Sequence, residues 1–244
     1  MRIFLTLCGS FCLMSLATLS AEGSLQMRPA LLGTGHDSLI NLIDTAKLME
    51  KGQGDAVVRF SCYVNPHGES RGMITYGRSD HSDPLAEEAI YECRSARFIP
   101  AIYDSRPAWA ELEGTIMFAV INGKPHLRIF LNQEQEHLKK GDDFVAPQEI
   151  YRWSDNFPGF EHPEDPSLSG AVVVKLQTDA TGKLLSSKVT AQRPPNADFG
   201  AVVMRRINRI SFTPGYLHGR PVPSSTSWEV IFQGNRGGTY WNND

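Results

Sequence analysis

Of the chain's four cysteines, only Cys62 and Cys93 lie beyond the first twenty-one residues. They form no C-x-x-C pair, which removes a thioredoxin-type redox motif and a zinc ribbon from consideration. The seven histidines (His36, His67, His81, His126, His137, His162 and His218) fall in turns, polar loops and polar stretches. No two of them stand at a metal-ligand spacing, and no cysteine motif joins them. No P-loop and no dinucleotide fingerprint is present. The serine pairs Ser186-Ser187 and Ser224-Ser225 lack the glycines of a nucleophile elbow. Glu87-Glu88 and Glu134 with Glu136 read as exposed helix carboxylates. Arg205, Arg206 and Arg209 lie late in a helix, where the dipole favours cations. The expectation is a chain with no catalytic residues, no cofactor and no metal. A formal charge of −3 also points away from nucleic acid and from acidic membrane surfaces as general partners.

Long apolar runs are absent after the start of the chain. Arg2 is a short basic region, Ile3 to Leu19 is mostly apolar, and Leu19-Ser20-Ala21 suits cleavage before Glu22. Residues 1–21 therefore read as a secretory signal, which leaves a mature chain of charge −4 in a periplasmic or secreted location. The competing reading is an uncleaved inner-membrane anchor, and contact with a membrane follows only in that case. Gly9, Ser10, Ser15 and Thr18 weaken the anchor.

What the sequence does have is an internal repeat. Phe98, Pro100, Arg106, Pro107, Gly68 and Phe118 recur as Phe212, Pro214, Arg220, Pro221, Gly182 and Phe232, each 114 residues later with no gap. In that register Val58, Phe60 and Cys62 align with Val172, Val174 and Leu176, and Ala89, Ile90 and Cys93 with Val203, Met204 and Ile207. A shared F-x-P and R-P with the turn glycine and strand residues in one register argues for duplication. The fold class expected is α+β. Two tandem small domains each carry an antiparallel or mixed sheet of three to four strands, in the order β-β-α-β, covered by one helix.

In chain order, 22–54 is an irregular stretch followed by one amphipathic helix, Asp37 to Lys51, capped by Asp37 or Ser38 and lying as a lid on the first core. The first domain, 55–132, opens with a strand at Ala56–Val64, turns at Asn65–Gly68 and returns through Arg71–Tyr76. Its helix begins at Asp83-Pro84 and ends about Ser95. A strand at Leu112–Ile121 and a tight turn at Asn122-Gly123 then lead to a fourth strand, His126–Leu131. Residues 133–169 read as a linker, charged at first and later rich in proline and aromatics. The second domain, 170–233, has strands from Gly170 and from Leu184 to Thr190, a helix from Asp198 to Ile210, and a last strand, Ser225 to Phe232. Residues 234–244 are a turn-like tail.

Cys62 shares a strand face with Val58 and Phe60, and Cys93 a helix face with Leu85 and Ala89. Both belong between sheet and helix. In an oxidising compartment they are candidates for one disulfide, worth roughly 3–4 kcal/mol for a loop of about 30 residues. Two reduced core cysteines are the alternative.

Gly170 with its valine strand, Gly182, the helix ending in Phe212-Thr213-Pro214, and Gly219-Arg220-Pro221-Val222 before the last strand resemble the C-terminal domain of the TonB energy-transducer family. The resemblance spans about 65 residues of the second repeat. It is looser in the first, through Gly68, Phe98-Ile99-Pro100 and Arg106-Pro107. Asn156-Phe157-Pro158 is similar to an aromatic-proline motif upstream of that domain. The resemblance implies a small sheet under one helix that binds a short extended peptide of an outer-membrane receptor and transmits force from an inner-membrane complex. A long proline-rich spacer, which the family uses to cross the periplasm, is missing here.

A β-β-α-β unit with a right-handed crossover places strand one in the middle and strand three at an edge. In the first repeat the Asn122-Gly123 hairpin fills that edge. In the second, the edge strand Ser225, Thr226, Ser227, Trp228, Glu229, Val230, Ile231 and Phe232 is expected to stay open and to accept a peptide-like segment of an envelope or outer-membrane protein by strand addition. A purely structural role, with the edge covered by domain packing or by a homodimer, is the alternative.

Overall fold

The computed structural model describes residues 27–151, 167–232 and 234. The signal segment, the aromatic-proline motif at 156–158 and nearly all of the tail lie outside them. The chain is mixed α and β, with mostly antiparallel sheets and few helices.

The strands are β1 Met27–Arg28, β2 Leu31–Leu32, β3 Ala56–Val64, β4 Ser70–Tyr76, β5 Phe98–Ile99, β6 Ala101–Tyr103, β7 Arg106–Ile121, β8 Lys124–Phe130, β9 Glu149–Tyr151, β10 Gly170–Thr178, β11 Leu184–Arg193, β12 Ser211–Phe212, β13 Gly215–Leu217, β14 Arg220–Val222 and β15 Ser224–Phe232. The helices are α1 Leu39–Leu42, α2 Thr45–Glu50, α3 Asp83–Cys93, α4 Gln135–Leu138 and α5 Phe199–Arg206. A large sheet runs β1-β6-β7-β3-β4, with β8 and β9 also on β7 and β12 on β9. A small sheet runs β11-β10-β15, so strand one of that unit is central and β15 is at its edge.

Alternation builds both cores. Val58, Phe60 and Cys62 on β3 and Leu112, Ile116 and Phe118 on β7 are buried with Leu85, Ala89 and Cys93 of α3. Val172, Val174 and Leu176 on β10 and Trp228, Val230 and Phe232 on β15 are buried with Phe199, Val202 and Val203 of α5. One face of each strand packs and the other meets a polar environment, which is the period-two rule.

The pairing registers repeat at the sequence offset. Ala56↔Phe118 and Val64↔Ala110 correspond to Gly170↔Phe232 and Thr178↔Ser224. The β6–β7 pairs Ala101↔Ala108 and Tyr103↔Arg106 correspond to Gly215↔Val222 and Leu217↔Arg220. Asn65 Oδ1 accepts from the amides of His67 and Glu69, and Asp179 Oδ1 accepts from those of Thr181 and Lys183. These Asx turns lock the two equivalent first hairpins. Asn122 and Gly123 both have positive φ, as a two-residue hairpin of the twist-matched kind demands. β8 follows and lies along β7 from Thr115 to Ile121.

Several expectations are corrected. The single helix at 37–51 is two, broken at Ile43-Asp44. Asp44 takes the amides of Ala46 and Lys47 at 3.0 Å and so starts α2 afresh. Ser38, the expected cap, makes no capping bond with its side chain. The irregular N-terminal stretch contains β1 and β2, which pair with β6 and β5. Residues 133–169, read as a linker, contain β9, which pairs with β7 and with β12. The helix expected to run to Ile210 ends as α-helix at Arg206 and tightens into a 3-10 turn, Ile207–Arg209.

The upstream segments also match each other. Arg28↔Ile102 and Leu32↔Phe98 have counterparts in Val145↔Tyr216 and Glu149↔Phe212, at 117 residues on the upstream side. The two segments meet at Gln148. Its buried amide accepts from Ala30 N–H at 2.7 Å and donates to Ala30 C=O at 2.9 Å.

Candidate edge strand and carboxylate junction

Of the residues singled out in the sequence, Ser225 to Phe232 all lie in β15, on one side of β10. Ser227 N–H donates to the Glu134 carboxylate and not to β10, so it points off the sheet. By the two-residue period, Ser225, Glu229 and Ile231 present their backbone groups the same way. Among the described residues no strand pairs with this outer side.

The edge divides into two parts. At the outer part Glu229 and Ile231 are exposed, Ile231 at 60%. At the inner part Thr226 and Trp228 are buried and Ser225 and Ser227 half-buried, against the large sheet. Glu134 spans this contact. It bonds Ser227 and holds Lys175 Nζ of β10 at 2.5 Å. Burial pushes its carboxyl up, but Lys175 and the Ser227 amide outweigh that and hold it below the ordinary range. The expected exposure of Glu134 is thus corrected, because an ammonium and a strand amide draw it inward. Glu88 is likewise buried, at 3% exposure, and paired with Lys47 at 2.8 Å. His137 is not solvated but buried against Phe144, and burial lowers its pKa.

A small cavity sits beside the inner edge. Glu111, Glu113, Glu149, Thr226 and Trp228 are among its lining residues. Its volume is about 20 Å³, room for roughly one water molecule. Glu111 and Glu113 flank buried Leu112 on the face of β7 that looks away from α3. Glu149 arrives on β9. Trp228 Nε1 donates to Glu149 Oε2 at 2.9 Å, which ties the small sheet to the large one. Ser61 Oγ and Tyr151 Oη donate to Glu111 at 2.6 and 3.2 Å.

The electrostatics follow from crowding. Burial, with Glu111, Glu229 and Glu134 nearby, pushes Glu113 up to about 8, and Arg59 opposes only in part. Burial and Glu111 push Glu149 up to about 8 against the bond from Trp228. Burial also raises Glu111. Removing a charge from water beside like charges favours the neutral acid. Tyr63 is raised to about 12, and Tyr76 and Tyr151 are raised as well, first by burial. None of this cluster was foreseen. The alternation Glu111-Leu112-Glu113 was the one local signal, but Glu149 joins it only through the tertiary pairing of β9.

Of the glycines singled out in the sequence, Gly170 and Gly182 sit at tight points. Gly170 lies under the Phe199 ring, where a Cβ would come within 2.2 Å. Gly182 lies on the carbonyl of Phe212, with Pro214 beside it. Phe212 packs edge-on to Trp228 at 5.6 Å. Gly219, with positive φ, turns the β13–β14 ribbon, and Pro221 pairs with Tyr216.

Cys62 and Cys93 are both buried between β3 and α3, as expected, and stand as free cysteines in this structure. Each sulfur has a polar partner in the thiol form. Cys93 Sγ donates to Ser70 Oγ at 3.2 Å, and the bond shared with Cys93, followed by burial, pushes the Cys62 thiol well up.

Among the described residues no group of three His, Cys, Asp or Glu is placed to hold a metal, and no helix is long and apolar enough to cross a membrane. No family model matches the chain, and no curated protein or solved structure matches it either.

Proposed function

We propose that the chain is a non-catalytic periplasmic or secreted protein that binds an extended segment of an envelope protein by strand addition to the outer edge of β15. On this reading it consists of two tandem domains similar to the TonB C-terminal domain, the first structural and the second the binding one. The observation that carries it is a comparison of equivalent edges. On β7, Thr115–Ile121 is covered by β8. The β15 positions 114 residues on begin at Glu229, and their outward backbone groups meet no strand among the described residues. The covered edge also indicates what fits: an antiparallel strand with alternate apolar side chains, as Leu127 and Ile129 are on β8. Polar Ser225, Ser227 and Glu229 keep such an edge from nonspecific pairing.

A photo-crosslinking residue at Ile231 tests this in the cell envelope. Leu185 on β11 is equally exposed and serves as control. Crosslinks from 231 to one extended segment, absent from 185, are the expected result. The same products from both sites, or none from 231, would refute strand addition.

The burial of the inner edge favours a second reading, a purely structural or assembly role, in which the small sheet is docked to the large one and binds nothing else. Retention of residues 1–21 as an inner-membrane anchor would instead favour energy transduction. Sequencing the mature N-terminus decides between cleavage and anchoring.

A further inference from the structure

The junction between the sheets gathers acidic groups from separate stretches of chain with few cations to answer them. Glu111 and Glu113 come from β7, Glu149 from β9, Glu134 from the turn before α4, and Glu229 from β15. Arg59 of β3 faces Glu113, and Lys175 of β10 is committed to Glu134. Tyr63 of β3, Tyr76 of β4 and Tyr151 of β9 complete the surroundings. His137 of α4, with Glu136 and Lys140, stands behind Glu134. Glu149 is bonded across the junction to Trp228, whereas Glu113 has no hydrogen-bond donor among the described residues.

We propose that this junction is a pH-sensitive clasp on β15: with Glu113 and Glu149 protonated the small sheet seats on the large one, and their ionisation loosens the seat and frees Ser225–Trp228. Glu149 is buried, at 8% exposure, and the cavity beside it has room for about one water, so its carboxylate gains full hydration only when the junction opens; Glu113, half-buried on the same lining, adds like charge. Opening returns them to water and to the ordinary carboxylate range. The closed form therefore holds more protons than the open form from about pH 4.5 up to about 8. In that window a rise in pH weakens closure, by up to tenfold per pH unit for each group. Above about 8 both forms are ionised and the effect levels off. Release would lengthen the edge open to a partner strand, but the clasp itself requires no partner, and its test uses the protein alone.

The full chain, ¹⁵N-labelled, is followed from pH 5.5 to 9. The Trp228 indole signal is assigned as the one lost in Trp228→Phe. Amide exchange over 224–232, corrected for its intrinsic rate, is compared with exchange over 56–64. The indole signal is expected to titrate with a midpoint near 8, and Ser227 protection to fall tenfold or more between pH 6.5 and 8.5 while 56–64 holds. In Glu113→Gln, which leaves Glu149 alone to titrate, the fall in Ser227 protection between pH 6.5 and 8.5 is expected to be markedly smaller than in the parent. An unmoving indole signal with constant Ser227 exchange would overturn the clasp, as would a Glu113→Gln variant that loses protection as the parent does. Should Glu113→Gln fail to unfold cooperatively at pH 5.5, Glu149→Gln, which keeps an acceptor for Trp228, gives the same reading.

Discussion

Gly68 and Gly182 occupy equivalent turns at φ +78° and +79°, and each backs onto a carbonyl of the phenylalanine in an F-x-P segment. A Cβ at Gly68 would stand 2.1 Å from Phe98 O, and one at Gly182 would stand 2.4 Å from Phe212 O. The obstacle is backbone, which cannot swing aside as a side chain can. Phe98 N–H also donates to Gly68 O at 2.8 Å, so the turn and the F-x-P segment form one unit. Gly68→Ala and Gly182→Ala are each expected to cost about 2 kcal/mol or more, combining left-handed strain with displaced backbone. Urea denaturation measures it. A loss below about 0.5 kcal/mol, the size of an ordinary surface substitution, would show that the turns relax freely.

At the scale of elements, the break between α1 and α2 shows how a single side chain outweighs a periodic pattern. Leu39, Ile43 and Leu48 are all buried, so the apolar spacing read from the sequence does mark the packed face. The helix nevertheless stops and restarts, because Asp44 satisfies two amides that a continuous helix would bond to carbonyls. Asp44→Ala is expected to cost about 1 kcal/mol in the same denaturation measurement, and Asp44→Asn appreciably less, since asparagine also caps. Equal losses from both variants would mean that the carboxylate acts other than as a cap. The same contrast sets what was legible. β3, α3, the Asn122-Gly123 hairpin and β15 are specified by residues within ten positions of one another, and the sequence places them to within a few residues. β1, β2 and β9 are two or three residues long, too short to show a period, and exist only because a distant strand offers its edge. The carboxylate junction depends on β9 and on Glu134, so only its β7 half left a trace in the sequence. His137 and Glu88 were misjudged for a related reason: polarity speaks for exposure until a specific partner, here Phe144 or Lys47, is in place.

For the whole molecule the question is where one unit ends and the next begins. The second core could be taken as residues 170–232, following the strands and helix that carry the repeat. The hydrogen bonds indicate otherwise. Tyr216 N–H donates to Val145 O and Val145 N–H to Tyr216 O, at 2.9 and 2.8 Å. Thr213 N–H donates to Gln148 O at 2.9 Å, and Gln148 N–H to Thr213 Oγ1 at 3.0 Å. Thr213 is fully buried, so its amide has no water to turn to once 145–150 is removed. Each buried group left unpaired costs about 1–3 kcal/mol, and a handful of them rivals the 5–15 kcal/mol that typically holds a domain together. The segment 27–32 serves the first core in the same positions. A fragment of residues 143–244 is therefore expected to unfold cooperatively, while 167–244 is expected to lack a cooperative transition. Circular dichroism through a urea series separates them. If 167–244 folded as well as the longer fragment, the upstream segment would be an accessory to the second core and not part of it. If neither folded, the small sheet would depend on its seat against the large one, through Trp228 and Glu149, for its existence as well as its position.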